Sequence, residues 1–154
     1  MFGPEQGHFA LALACVLALV QFAVPLWGAN RRDARLVGLA PYLAVSQLLA
    51  LGYSFLCLVM CAVSDDFSVQ NVAANSAVSK PLLYKITGVW GNHEGSVLLW
   101  TLILAVCGGA VSLFGRNLPD ILRGRVLAIL GGVSAGFQMF CLLTSDPFER
   151  VFPA

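Results

Sequence analysis

Four long uncharged runs, separated by short charged loops, set the pattern of the chain. Phe9–Trp27 carries no charge over 19 residues, Val37–Val63 none over 27, Val97–Phe114 none over 18 and Val126–Thr144 none over 19. A helix rises about 1.5 Å per residue and a bilayer's hydrocarbon core is about 30 Å thick, so each run is of spanning length. The pattern predicts an all-α membrane protein with four transmembrane helices at about 9–27, 37–63, 97–114 and 126–144. The second run exceeds one crossing and is expected to tilt or to begin in the interface. Pro41 falls near its start, where a first helical turn tolerates the missing N–H. Gln21 and Pro25 interrupt the first run near its far end, and Trp27 is placed as an interfacial anchor.

The connections differ in charge. Gly28–Leu36 holds Arg31, Arg32, Asp33 and Arg35, and Gly115–Arg125 holds Arg116, Asp120, Arg123 and Arg125. The other side carries Lys80, Lys85 and Arg150. Basic residues mark the cytoplasmic face. Both termini and the long 64–96 loop are therefore expected outside, and the arginine loops inside. Within the long loop, Asp65 and Asp66 read as solvated acids, Val69–Ser79 admits a short interfacial helix, and apolar Pro81–Tyr84 is expected to return to the membrane surface. Met1–His8 is a polar lead-in without Lys or Arg, so the first run reads as a retained span rather than a signal peptide. Asp146–Ala154 reads as a polar tail with two prolines. Neither terminus carries a lipidation signature.

Composition agrees with lipid as the solvent: 58% of the 154 residues are hydrophobic, 11% are charged, and mean hydropathy is +0.82. Soluble domains carry about 25% charged residues. A net charge of +1 implies no polyanion partner and no nucleic acid. Cys15, Cys57, Cys61, Cys107 and Cys141 all fall in apolar runs without C-x-x-C or C-x-x-C-H spacing, and read as small buried hydrophobes. Gly132/Gly136 form G-x-x-x-G in the fourth span, and Ala105/Gly109 and Gly108/Ser112 form small pairs in the third. Such residues let helices approach closely, although glycine is also simply common in membrane helices.

Chemistry concentrates in Lys85–Trp100. Asn92 or Gly91 is placed to cap the third span, with Glu94 in its first turn, where the helix dipole favours a carboxylate. Trp90 falls at headgroup depth. Only two histidines exist, His8 and His93, at the starts of the first and third spans. His93-Glu94 opens like H-E-x-x-H, but position 97 is Val, so the zinc motif fails and no metal site is assembled. Beside the capped-helix account stands a functional one, in which His93, Glu94, Trp90 and His8 face a flat ligand or a neighbouring domain. Imidazole is an axial ligand for haem iron. A clamp of one iron by both histidines requires the first and third spans to be neighbours. No Ser–His–Asp set, carboxylate pair or phosphate loop is present, so no catalytic residue is assigned.

Two stretches carry a resemblance. Pro4-Glu5-Gln6-Gly7-His8-Phe9-Ala10-Leu11, and Tyr84-Lys85 followed by Trp90-Gly91-Asn92-His93-Glu94-Gly95-Ser96-Val97-Leu98-Leu99-Trp100, resemble the cytochrome c maturation protein F (CcmF) family. Ser145-Asp146-Pro147-Phe148-Glu149-Arg150 is also similar to that family, whereas Gln6 stands where it has an aliphatic residue. The resemblance runs over the whole chain but covers only the family's N-terminal part. The family's further spans, its tryptophan-rich W-W-D-type segment and its haem-ligating histidines have no counterpart in these residues. The chain is accordingly expected to be a piece of a larger protein, a split-gene product or a truncated frame. The resemblance implies haem as cofactor, with ligands outside this chain. It also implies a role in a haem lyase complex that takes haem from a periplasmic haem chaperone and attaches it to apocytochrome c presented by other maturation proteins. Residence in the inner (cytoplasmic) membrane follows, or in the mitochondrial inner membrane if organellar. The alternative is a scaffold subunit that binds no haem and acts through helix–helix contacts with membrane partners. A transporter is disfavoured, since no span interior holds an ionisable pathway residue; Gln21, Gln47 and Gln138 are its only amide side chains, and interhelical hydrogen bonds account for them.

Overall fold

The computed structural model describes residues 3–151; Met1, Phe2 and the end of the polar tail, with Pro153, lie outside the described residues. The elements are α1 (Pro4–Arg31), α2 (Ala34–Gly38), α3 (Ala40–Val63), α4 (Gln70–Asn75), α5 (Leu82–Gly88), α6 (His93–Phe114), a 3-10 turn (Gly115–Asn117) and α7 (Asp120–Thr144). Among the described residues four helical stretches are long and apolar enough to cross a membrane: α1, α2 with α3, α6 with its 3-10 turn, and α7.

Each helix outruns its uncharged run for a local reason. α1 starts at Pro4, because proline's fixed φ suits a first turn and Glu5 meets the positive end of the dipole. It continues through Pro25 and stops where Arg32 turns left-handed at φ 56°, ψ 32°, letting the Asp33 N–H reach the Gly28 carbonyl at 2.9 Å. The second run is two helices rather than one. Pro41 has no N–H for the Val37 carbonyl, so the chain breaks at Leu39 and restarts with Pro41 in the first turn of α3. Asp120 opens α7 six residues before the uncharged run at 126, as an acid in its first turn.

The long helices form a ring in which α1 packs on α3 and α7, and α6 packs on α3 and α7. α1 and α6 therefore lie on a diagonal of the bundle. Small side chains face inward. α1 buries Gly7, Ala10, Ala14, Ala18 and Gly28, and α7 buries Gly124, Ala128, Gly131 and Ala135. In lipid no hydrophobic force joins helices, so close backbone approach and buried hydrogen bonds hold them. Gln21 Nε2 donates to the Leu127 carbonyl at 2.7 Å and Gln47 Nε2 to Ser134 Oγ at 2.6 Å, tying α1 and α3 to α7. Gln138 bonds within its own helix, donating to the same Ser134 hydroxyl at 2.8 Å. Ser112 Oγ donates to the Pro41 carbonyl at 2.9 Å, and Gly109 lies against Leu48, so the small pairs of the third span do face α3.

Two expectations are corrected. Gly136 does not pack, since a side chain there would meet open space, whereas Gly132 of the same pair lies against the Phe22 ring and Gly131 against α1, where an added Cβ would lie 3.0 Å from Gln21 Cγ and 3.1 Å from the Ala18 carbonyl oxygen. Cys107 faces outward, whereas the other four cysteines are buried.

Gly131→Leu is accordingly expected to destabilise the bundle by about 1–3 kcal/mol through overpacking, and Gly136→Leu to leave it nearly unchanged. Thermal unfolding of the detergent-solubilised protein measures both; equal melting points would refute the assignment of α7's packed face.

Candidate functional site

The long loop does not lie loose in solvent. α4 and the end of α5 fold over the bundle, and Val69, Val72 and Val89 join Leu11, Leu51, Leu58 and Leu98 in one buried cluster. Asp65 is not a free acid: it pairs with Lys85 at 2.5 Å, with both side chains largely covered. Apolar Leu82, Leu83 and Tyr84 open α5 and face outward.

Asn92 fastens this loop to the third span. Its side-chain oxygen accepts the Gly95 N–H at 2.8 Å and so caps α6, leaving His93 and Glu94 in the first turn. The same amide exchanges two hydrogen bonds with buried Asn71 of α4, at 2.8 and 3.2 Å. Gly95 is required because a side chain would run into the Val89 carbonyl. Gly7 is required because the Phe148 ring lies over it, and Ser54 Oγ donates to the Gly7 carbonyl at 2.9 Å.

The segment after α7 ties these pieces together. Ser145 Oγ lies 2.9 Å from His93 Nδ1, and Asp146 Oδ2 lies 3.0 Å from His8 Nδ1. Asp146 also accepts the Phe148 N–H at 2.9 Å. Arg150 reaches Glu5 at 2.9 Å and forms an isolated antiparallel bridge with Val69. The Gln70 N–H bonds the Glu149 carbonyl at 2.8 Å, and the Val151 N–H bonds the Ser68 carbonyl at 2.9 Å. Residues 145–151 thus form a strap across the loop end of the bundle.

The four candidate residues share one end of the bundle but face different surroundings. His93 lies at one end of an outward-opening groove of about 480 Å³ between α6 and α7, lined by Val97 and Trp100 of α6 and by Val133, Gly136, Phe137 and Phe140 of α7. The spacings 93, 97, 100 and 133, 136, 137, 140 each mark one helical face, and unpacked Gly136 leaves the groove open. The Phe140 ring meets the imidazole edge-on at 5.9 Å between centroids. Trp90 turns elsewhere and stacks on Phe55 of α3 at 6.3 Å. Glu94 lines a small polar pocket of about 60 Å³ with Asn71, Asp146 and Glu149. His8 stands on α1, diagonal to α6, yet the adjacent residues Ser145 and Asp146 hold His93 and His8 at the same end of the bundle. Trp100, Phe137, Phe140 and Ser145 were not singled out as site residues; helical spacing from His93 points to Trp100, while only tertiary structure reveals the others. Among the described residues no group of three His, Cys, Asp or Glu is arranged to hold a metal ion.

No family model matches the chain. It is 56% identical over 147 residues to the cytochrome c-type biogenesis protein CycK of Bradyrhizobium diazoefficiens, covering 96% of this chain and 22% of that protein. It is 49% identical over 150 residues to the cytochrome c-type biogenesis protein CcmF of Pseudomonas aeruginosa, covering 97% of this chain and 23% of that protein. The solved structure of a cytochrome c haem lyase CcmF matches with a TM-score of 0.91 at 27% identity, over 100% of this chain and 26% of that one. The chain belongs to the CcmF/CycK family. It matches the N-terminal part of these proteins and spans less than a quarter of the length of CycK and of the Pseudomonas CcmF. In CcmF/CycK terms, the three resembling stretches are the start of α1, the α5–α6 turn and the strap, and in the fold they meet at one end.

Asn92→Ala removes the cap and leaves buried Asn71 unpaired, at a combined cost of about 2 kcal/mol. Hydrogen exchange over 69–92 is expected to accelerate strongly, with α1 and α7 little changed. Unaltered loop protection would show that Asn92 does not fasten the loop.

Proposed function

We propose that the chain serves cytochrome c biogenesis as the N-terminal transmembrane region of a larger haem lyase, and that its loop end faces the outside. In this reading it takes part in receiving haem from a periplasmic haem chaperone and joining it to apocytochrome c offered by other maturation proteins. The observation that carries the reading is the convergence of three family-like stretches on the two histidines. The distribution of arginines supports the orientation, with six on the loops of the opposite end.

The groove's residues fit one face of a haem. Ser145 holds His93 through Nδ1, so Nε2 stays free, and Trp100, Phe137 and Phe140 offer flat apolar contact. No second axial donor lines that groove, so further ligands belong to the greater length that the relatives have. Haem supplies the vinyl groups to which apocytochrome cysteines are joined. Asp146, as an acceptor, fixes the Nδ1–H tautomer of neutral His8 and leaves its Nε2 as a base or ligand atom. The α6 cap, the strap and Gly95 hold His93 in place.

A chimera tests this directly: residues 1–154 replace the matching part of the Bradyrhizobium CycK in cells lacking their own copy, and haem-stained c-type cytochromes are measured. Maturation near the parental level is expected. His93→Ala and the groove-filling Gly136→Leu should abolish it, and Ser145→Ala should lower it about tenfold, as loss of a ligand's orienting partner does. A membrane-inserted chimera that matures no cytochrome would sink the biogenesis reading. Full maturation with His93→Ala would leave the chain as a scaffold without haem contact.

A further inference from the structure

The opposite end of the bundle carries a second groove, larger than the first, at about 640 Å³. It lies where α2 and the start of α3 approach the end of α6 and the start of α7. Its mouth holds Arg116, Arg123 and Asp120, and its wall continues along Tyr42, Val45 and Leu113. The two guanidinium groups outnumber the one carboxylate. Among the described residues neither arginine forms an ion pair. Arg123 donates one terminal N–H to the Ser112 carbonyl, while its buried Nε–H has no partner. That Nε–H is closed off, so the donors offered to the groove are the Arg116 guanidinium and the outer N–H groups of half-buried Arg123. The wall is of another kind. Tyr42 is 74% exposed and Phe114, next to Leu113, is 81% exposed, so the surface beside the groove faces lipid tails.

We propose that this groove binds an anionic phospholipid. The phosphodiester sits between Arg116 and Arg123, and an acyl chain lies along Tyr42, Val45 and Leu113. Depth fits, because α6 ends at Phe114, so Arg116 stands at headgroup level two residues beyond the last turn. Arginine suits the ligand, since its planar fork matches phosphate oxygens. A free phosphate has the same head chemistry but leaves the apolar wall without a role.

The test is native mass spectrometry of the chain released from bilayers that mix phosphatidylglycerol and phosphatidylcholine. One retained phosphatidylglycerol is expected. Arg116→Gln should weaken its retention roughly fivefold, the worth of one surface arginine toward an anionic lipid. Gly38→Leu, at a position where a side chain enters open space, fills the groove without touching charge and should remove the adduct. Arg35→Gln, outside the groove, should change nothing. Equal retention in all four proteins, or retention of phosphatidylcholine just as well, overturns the proposal. So does displacement of the adduct by millimolar inorganic phosphate, which would make this an anion site rather than a lipid site.

Discussion

The loop end depends on two adjacent side chains. Ser145 and Asp146 each hold one histidine, and those histidines sit on helices at opposite corners of the bundle. The backbone then continues across the top, placing Phe148 on Gly7 and Arg150 against both Val69 and Glu5. The exposed Arg150–Glu5 pair is worth little by itself. The covered contacts have a different weight: buried Phe148 and the backbone bonds to Ser68 and Gln70 make the segment after α7 part of the core.

Below that end the bundle is held by intimacy rather than bulk. Where α1 and α7 meet, alanine and glycine allow the backbones together, and the Gln21 amide bridges them. Ser134 gathers amides from α3 and α7 at one point. Hydrogen bonds of this kind contribute modestly in membranes, yet they fix rotation and depth, which packing of smooth small-residue faces does not. The register so set decides which residues of α6 and α7 border the His93 groove.

The spans were legible because charge is excluded from lipid, a constraint that acts residue by residue along the chain. The cap by Asn92, the first-turn place of Glu94 and the role of Pro41 were legible for the same reason: each is a local rule of helix ends. The break at Leu39 also follows from a local rule, though its consequence, two helices in place of one, needed α2 to find a seat on Gly28. What could not be read were relations between distant stretches. Val69 and Val89 look like ordinary loop residues until the bundle end offers them a place, and Asp65 looks solvated until Lys85, twenty residues on, folds over it. Gly131 and Gly136 differ by five positions and are chemically identical; only the partner helix separates the packed one from the open one. The family resemblance marked the motif stretches, but it was the strap that showed why they occur together.

Turning the small residues inward has a corollary for the perimeter. Phe9, Phe22, Trp100, Phe114, Phe137 and Leu143 are all presented outward, so the rim is coarse where the interior is smooth. A coarse rim offers many holes and knobs to whatever surrounds it. Further helices can dock there by displacing lipid, with the inner register left as it stands. The bundle thus pairs a smooth, fixed interior with rough outer faces.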